Sequence, residues 1–185
     1  MTVAKELLGK YLFTNFNGKK TGGIITETEA YNGIGDRASH AYGGKRTNRT
    51  EIMYCEGGIA YVYLCYGIHS LFNVVTNKKN IPHAVLIRSI HPVIGTGVML
   101  KRRKRKTIDE TFTNGPGSVA QALGIHYSQS GISLTGNEIW IESNGKVIDD
   151  SKIIISKRIG VEYSGDDVHL LYRFIAPPDQ PKGEE

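Results

Sequence analysis

Two alternating runs joined by an Asn-Gly pair constrain this chain most. "YLFTNF" and "TGGIITETEAY" flank "NGKK" within residues 11–31. Asn and Gly both tolerate the left-handed backbone of a two-residue turn, whose twist suits two antiparallel strands. The runs therefore read as a hairpin, with Glu29 and Tyr31 sharing one face of its second strand. More strand text follows. "IAYVYLCYGIHSLFNVVTN" reads as two strands broken near Gly67, and "HAVLIRSIHPV" as another ended by Pro92. "SLTGNEIWIES", "KIIISKRIGV" and "HLLYRFI" are mostly strand. Helical text is short. "TVAKELLGKYL" has Thr2 as a candidate cap, an apolar face of Val3, Leu7 and Leu8, and Gly9 as a stop. "GVMLKRRKRK" is helix-like, and "NGPGSVAQALGI" is a Gly/Pro turn entering a helix that stops at Gly124. The loop between residues 32 and 58 leaves room for one short helix around residues 36–41.

A chain of 185 residues with 39 % hydrophobic content suits one domain with a real core. Its last residues, "APPDQPKGEE", read as a fraying tail, so the division is a domain over 1–174 and a flexible tail over 175–185. No apolar run reaches the ~18 residues of a membrane helix, and the first residues lack the apolar centre of a signal peptide. A soluble intracellular protein is the expectation, in bacterial cytoplasm or nucleoid, or in a eukaryotic nucleus, with no membrane partner. Cys55 and Cys65 form no Cys-x-x-Cys and are expected as buried reduced thiols, with a disulfide as the lesser alternative. The six histidines show no metal-ligand spacing, so no metal site is expected.

The net charge of +5 is divided unevenly: +5 over residues 1–100, +6 in "KRRKRK" (101–106), and −6 over the remainder. Such a block is either a solvated face or a contact for a polyanion, nucleic acid being the commonest.

Glu27 and Glu29 are unusual strand residues. Either can be a solvated carboxylate, or one can work as a proton acceptor near Tyr31 and His40; periodicity does not separate them. Tyr61 and Tyr63 share a strand face, whereas Tyr66 stands at the Gly67 turn with little core to enter. An aromatic tip there can pack at an interface or wedge between bases. Arg88, inside apolar "AVLIRSI", needs either a partner at the sheet edge or a charged ligand. "GGKRTNR" either cradles phosphates or is a solvated loop.

In series, "ETEAY" (27–31), "SHAYGG" (39–44), "YVYLCYGIHSLFNVV" (61–75), "AVLIRSI" (84–90) and "NGPGSVAQALGI" (114–125) resemble the alkyladenine (3-methyladenine) DNA glycosylases of the non-helix-hairpin-helix type. "KRIGVEYSGDDVHLLYRF" (157–174) continues the likeness more weakly. The resemblance implies a single compact α+β domain with a curved, mainly antiparallel sheet, short helices and a protruding β-hairpin. It implies a monomeric, monofunctional enzyme, without cofactor, that hydrolyses the N-glycosidic bond of damaged purines in double-stranded DNA. By position, Glu29 matches the general base on the attacking water. Arg88 matches an arginine near the everted nucleotide's backbone that helps to hold the water. Tyr31 and His40 match residues on one side of the flipped base, Tyr63 the stacking partner opposite, and Asn73 the pocket wall that discriminates among purines. Tyr66 matches the residue that fills the vacated duplex position. The chain departs from the pattern at Ser118, where many relatives have lysine, and in its short start before "VAKELLGK". A damaged-DNA-binding domain without turnover is the alternative function. A hydrolase of free nucleosides is a third, and the "KRRKRK" block speaks against it.

Overall fold

The structure is a computed structural model in which residues 1–143, 145 and 147–176 are described. Its organising element is a 13-residue strand, β2 (Lys19–Tyr31). Strand β1 (Tyr11–Phe16) pairs with its first half through the turn at Asn17 and Gly18, whose φ values are 53° and 72°. The Asn-Gly signal thus forms the left-handed two-residue turn it predicts. β3 (Ala60–Cys65), β4 (His69–Val75), β5 (Ala84–Ile94) and β6 (Ile139–Glu142) complete the order β3-β4-β5-β2-β1-β6. Two three-residue strands, β7 (Ile154–Ser156) and β8 (Arg173–Ile175), finish the sheet, β8 pairing with both β7 and β2. All these pairings are antiparallel and the sheet curls into a half-barrel, so the fold is the α+β class expected.

β2 has β5 along one edge from Gly22 onward, but its other edge changes partner. β1 covers it as far as Ile24, and β8 takes over at Glu27–Glu29. Register shifts against β5 flank Glu27. The double glycine in "TGG" belongs to the same crowding, because a Cβ on Gly23 would meet the His91 carbonyl oxygen at 2.5 Å. The two acidic residues therefore lie where the sheet changes neighbour and the ladder is irregular, which lets their side chains be re-aimed.

The main core lies between the sheet and three helices: α1 (Thr2–Glu6), α2 (Thr96–Arg103) and α3 (Pro116–Leu123). Phe72 and Ile87 from the sheet meet Leu8, Met99, Val119 and Leu123, with Phe112 beside them. A smaller cluster of Ala41, Met53, Tyr54, Tyr61, Val75 and Ala84 pins the long loop after β2.

Several local expectations need correction. Thr2 lies inside α1 rather than capping it; Met1 is the cap residue and offers no side-chain bond. The helix expected at residues 36–41 is a series of turns between 3₁₀ turns at Gly33–Gly35 and Tyr42–Gly44. The Asp36 carboxylate takes the backbone N–H groups of Asn32 and Ala38, which competes with helix formation. β5 does not end at Pro92 but runs to Ile94. Proline is tolerated because the register against β2 shifts there. "KIIISKRIGV" and "HLLYRFI" are less extended than expected, with a 3₁₀ segment at Glu162–His169 between the two short strands. Both cysteines are free and half-buried rather than buried. β8 reaches Ile175 and Ala176 is buried, while residues 177–185, most of the expected tail, lie outside the described residues.

Candidate active site

Glu29 is fully buried, and three groups hold its carboxylate. The Tyr31 hydroxyl donates to Oε2 at 2.9 Å, the Ile159 backbone N–H donates to Oε1 at 2.8 Å, and Arg88 Nε lies 3.4 Å from Oε1. A carboxylate has about four acceptor positions, so Oε2 keeps a lone pair for one more donor. Burial raises its pKa above the ordinary 4.5. Arg88, the Ile159 amide and Tyr31 pull it back, and Glu27 pushes it up again. Burial, with Glu29 beside it, also drives the Tyr31 phenol well above its ordinary range, so Tyr31 is a firm proton donor in this pair.

Glu27, the rival, is an ion-pair anchor. Its Oε1 accepts from Arg88 Nε at 3.0 Å and from Arg173 Nη1 at 2.9 Å. Arg173 arrives on β8, the strand that replaces β1 at this point. Arg88 therefore meets both readings left open for it: it has carboxylate partners, and it lines a cavity.

That cavity has a volume of about 590 Å³, within the range of small-molecule sites. Tyr31, His40, Tyr63, Tyr66, Asn73 and Arg88 all line it, so the fold gathers six of the seven singled-out residues. The seventh, Glu29, lies behind its wall, under Tyr31, Arg88 and Ile159, which line the cavity and also bond the carboxylate. Asn73 is fixed by donating to the carbonyls of Tyr61 (3.2 Å) and Leu71 (3.4 Å). His40 shares a 2.8 Å bond between Nδ1 and the Tyr61 hydroxyl, and stands edge-on to Tyr63 with centroids 4.6 Å apart. Burial, helped by Arg49, lowers the His40 pKa to about 4, so its imidazole is neutral at physiological pH.

Tyr66 is 92 % exposed and Ile68 73 % exposed at the tip of the β3–β4 hairpin. Tyr66 and Gly67 take φ values of 51° and 71°. A bulky residue in that region is strained, and strain of this kind concentrates at functional sites. An aromatic ring is thus held out into solvent at the mouth of the cavity.

Sequence reasoning missed the support behind the cavity. Arg158 is buried; its Nη1 and Nη2 donate to the two Asp36 oxygens at 2.6 and 2.8 Å, and Nη1 also donates to the Ala30 carbonyl at 3.0 Å. Its guanidinium lies 4.8 Å from the Tyr31 ring centroid and 5.2 Å from that of Tyr172. One residue thus backs Tyr31, ties down the loop carrying His40, and sets the next residue, Ile159, against Glu29. An arginine amid the apolar text of "KIIISKRIGV" was the available signal. The "KRRKRK" block, by contrast, lines no part of the cavity. Arg102 and Arg103 bond α3 and its surroundings, and Arg105 pairs with Asp109. The cations at the cavity are Arg37, Lys45, Arg49 and Arg88. Among the described residues there is no group of three or more His, Cys, Asp or Glu side chains able to hold a metal, and no helix is long and apolar enough to cross a membrane.

Fold and site define a one-domain α+β protein whose buried, arginine-paired carboxylate underlies an aromatic cavity beside an exposed tyrosine tip. The chain belongs to the methylpurine-DNA glycosylase family, whose sequence profile matches residues 1–180. It is 44 % identical over 182 residues to a Clostridium perfringens protein named "Putative 3-methyladenine DNA glycosylase", covering 94 % of this chain and 89 % of that one. Proteins of the same name from Chlamydia felis and Borrelia garinii are 48 % and 45 % identical, each match covering 94 % of this chain and 88 % of the relative.

Proposed function

We propose that this protein, acting as a monomer, turns alkylated purines such as 3-methyladenine out of duplex DNA and hydrolyses their N-glycosidic bond. The reading rests chiefly on Glu29, a carboxylate of raised pKa held by three groups beneath an aromatic cavity. Departure of the base leaves an oxocarbenium-like sugar. Glu29 stabilises that charge and takes a proton from the attacking water, while Arg88 keeps the carboxylate ionised and helps to orient the water. Alkylation at N3 or N7 makes the purine cationic, and each aromatic wall then adds roughly 0.5–2 kcal/mol of attraction. Tyr31 and His40 bound one side of the base, Tyr63 the other, and Asn73 the edge. Eversion costs a few kcal/mol. Tyr66 fills the gap and offsets part of it.

The test is incubation of a methylated duplex with the protein, followed by detection of free base. Release of 3-methyladenine is expected, with the strand intact until alkali or heat is applied. No free base sinks the proposal. Cleavage by the protein itself would instead implicate an amine nucleophile, and Lys45 at the cavity is the first to examine.

The pH dependence follows from the raised pKa of Glu29. The general base works ionised, so activity falls as pH drops through its folded-state pKa. The acid limb of single-turnover release should therefore lie above 4.5, the ordinary value. A limb at or below that value contradicts the assignment.

A further inference from the structure

Arg49 is absorbed by none of these roles. It lies in the exposed loop after β2, yet its guanidinium points into the cavity wall. Its Cζ is 4.8 Å from the centroid of the Tyr63 ring. Its Nη2 lies 3.2 Å from Nε2 of His40. Arginine can only donate, so Nε2 accepts, and Nδ1 carries the imidazole proton toward the Tyr61 hydroxyl. One side chain thus lies over an aromatic ring and occupies the outward nitrogen of the histidine.

A planar group over Tyr63, hydrogen-bonded to His40, is also what a seated purine would be. Moreover, His40 and Tyr63 stand edge to face at 4.6 Å. That is closer than two rings can stand with a base stacked between them. A base that stacks on Tyr63 where the guanidinium lies, and meets Nε2 of His40, has to displace that guanidinium.

We propose that Arg49 is a specificity-determining plug: it occupies the base slot of the free protein and is handed over to a backbone phosphate of the DNA when a nucleotide enters. The inference builds on the glycosylase reading and goes beyond it. A free purine brings no phosphate, so nothing compensates for the lost ring and histidine contacts. A nucleotide in DNA offers a nearby phosphate, for which a planar guanidinium is well shaped. The slot thereby prefers bases still attached to DNA over loose ones, including its own product.

Arg49→Ala separates the two halves of this claim, because they have opposite signs. Binding of free hypoxanthine, measured by equilibrium dialysis, should tighten about tenfold, the scale of one exposed cation–π contact plus one hydrogen bond. Hypoxanthine is neutral, so loss of positive charge alone does not account for a gain. Binding to a duplex carrying an abasic-site mimic should weaken, and the slope of log K against log salt should become shallower by about one. Arg46→Ala, which removes another cation of the same loop that lines no part of the cavity, should leave hypoxanthine binding unchanged. Arg49 is exposed, and matching thermal melts of the variants confirm that folding is not the cause. No gain in free-base affinity, or the same gain from Arg46→Ala, overturns the plug. A gain with an unchanged salt slope overturns the handover. Wild-type base release is measured alongside. If it is absent, the glycosylase reading fails, while the hypoxanthine measurement still decides whether Arg49 fills the slot.

Discussion

Glu29→Gln should cut single-turnover release of 3-methyladenine by roughly 10²–10⁴-fold, the usual worth of a positioned general base. Binding to an abasic-site mimic should change little, since Glu29 lies behind the cavity wall rather than on it. Near-normal release by the variant would overturn the assignment of the base. The same substitution carries a stability prediction with a definite sign. The folded-state pKa of Glu29 is raised by burial. Its contribution to stability is therefore fully present below the unfolded-state pKa and lost as pH rises through the folded one. Above that point the protein holds a buried anion at a cost, and a neutral glutamine relieves it. Arg88 keeps Glu27 as a partner after the exchange. Thermal melts should show the variant at least as stable as the parent at pH 8, with any advantage shrinking as pH falls through the folded-state pKa toward 4.5. A variant that melts far lower at pH 8 would show the carboxylate to be a structural support instead. Stability given up for a working side chain is common at active sites.

The second large effect is structural. Arg158→Met should destabilise the protein by about 3–5 kcal/mol, the usual consequence of breaking a buried ion pair. In a chain of this size that corresponds to roughly 6–20 °C in melting temperature. The loss arises because the Asp36 carboxylate stays buried without its cation. Burial alone would raise the Asp36 pKa, but bonds from Arg158 and from the Asn32 and Ala38 amides outweigh it and hold it below the ordinary 3.8. A lowered pKa gives stability that is present above the unfolded value and lost as pH falls through the folded one. Urea unfolding should therefore show the defect at full size at pH 7 and shrinking once pH falls below the ordinary 3.8. Adding Asp36→Asn should recover part of the loss, since an amide oxygen still accepts from Asn32 or Ala38. A single variant within 1 kcal/mol of the parent at pH 7 would show that the pair contributes little. Because Arg158 also backs Tyr31 and precedes Ile159, base release should fall more than the unfolded fraction explains.

Both effects rest on contacts between distant parts of the chain, and these mark the limit of what could be read from the sequence. The Asn17-Gly18 turn, the Tyr66-Gly67 tip and the helix ending at Gly124 were legible because each is set within a few residues by backbone preference. So was the common face of Glu29 and Tyr31, now seen as a direct hydrogen bond. The motif resemblance named the cavity residues, and the fold gathers them.

The choice between Glu27 and Glu29 was not legible by periodicity, because two residues apart means the same face. Tertiary structure gives them different partners: β8 brings Arg173 to Glu27, and the segment before the 3₁₀ turn brings the Ile159 amide to Glu29. The turns around Asp36 depend on an arginine 122 residues away. Half of "KRRKRK" is spent on internal contacts: Arg102 and Arg103 reach Ala122 and Gln121 of α3, and Arg105 pairs with its near neighbour Asp109. Local steric preference and alternation by themselves determined the long strands, the hairpin turns and the chemical vocabulary of this protein. Which partners each buried carboxylate takes, and which cations are left lining the cavity, were decided only when the folded chain assigned each charge its partner.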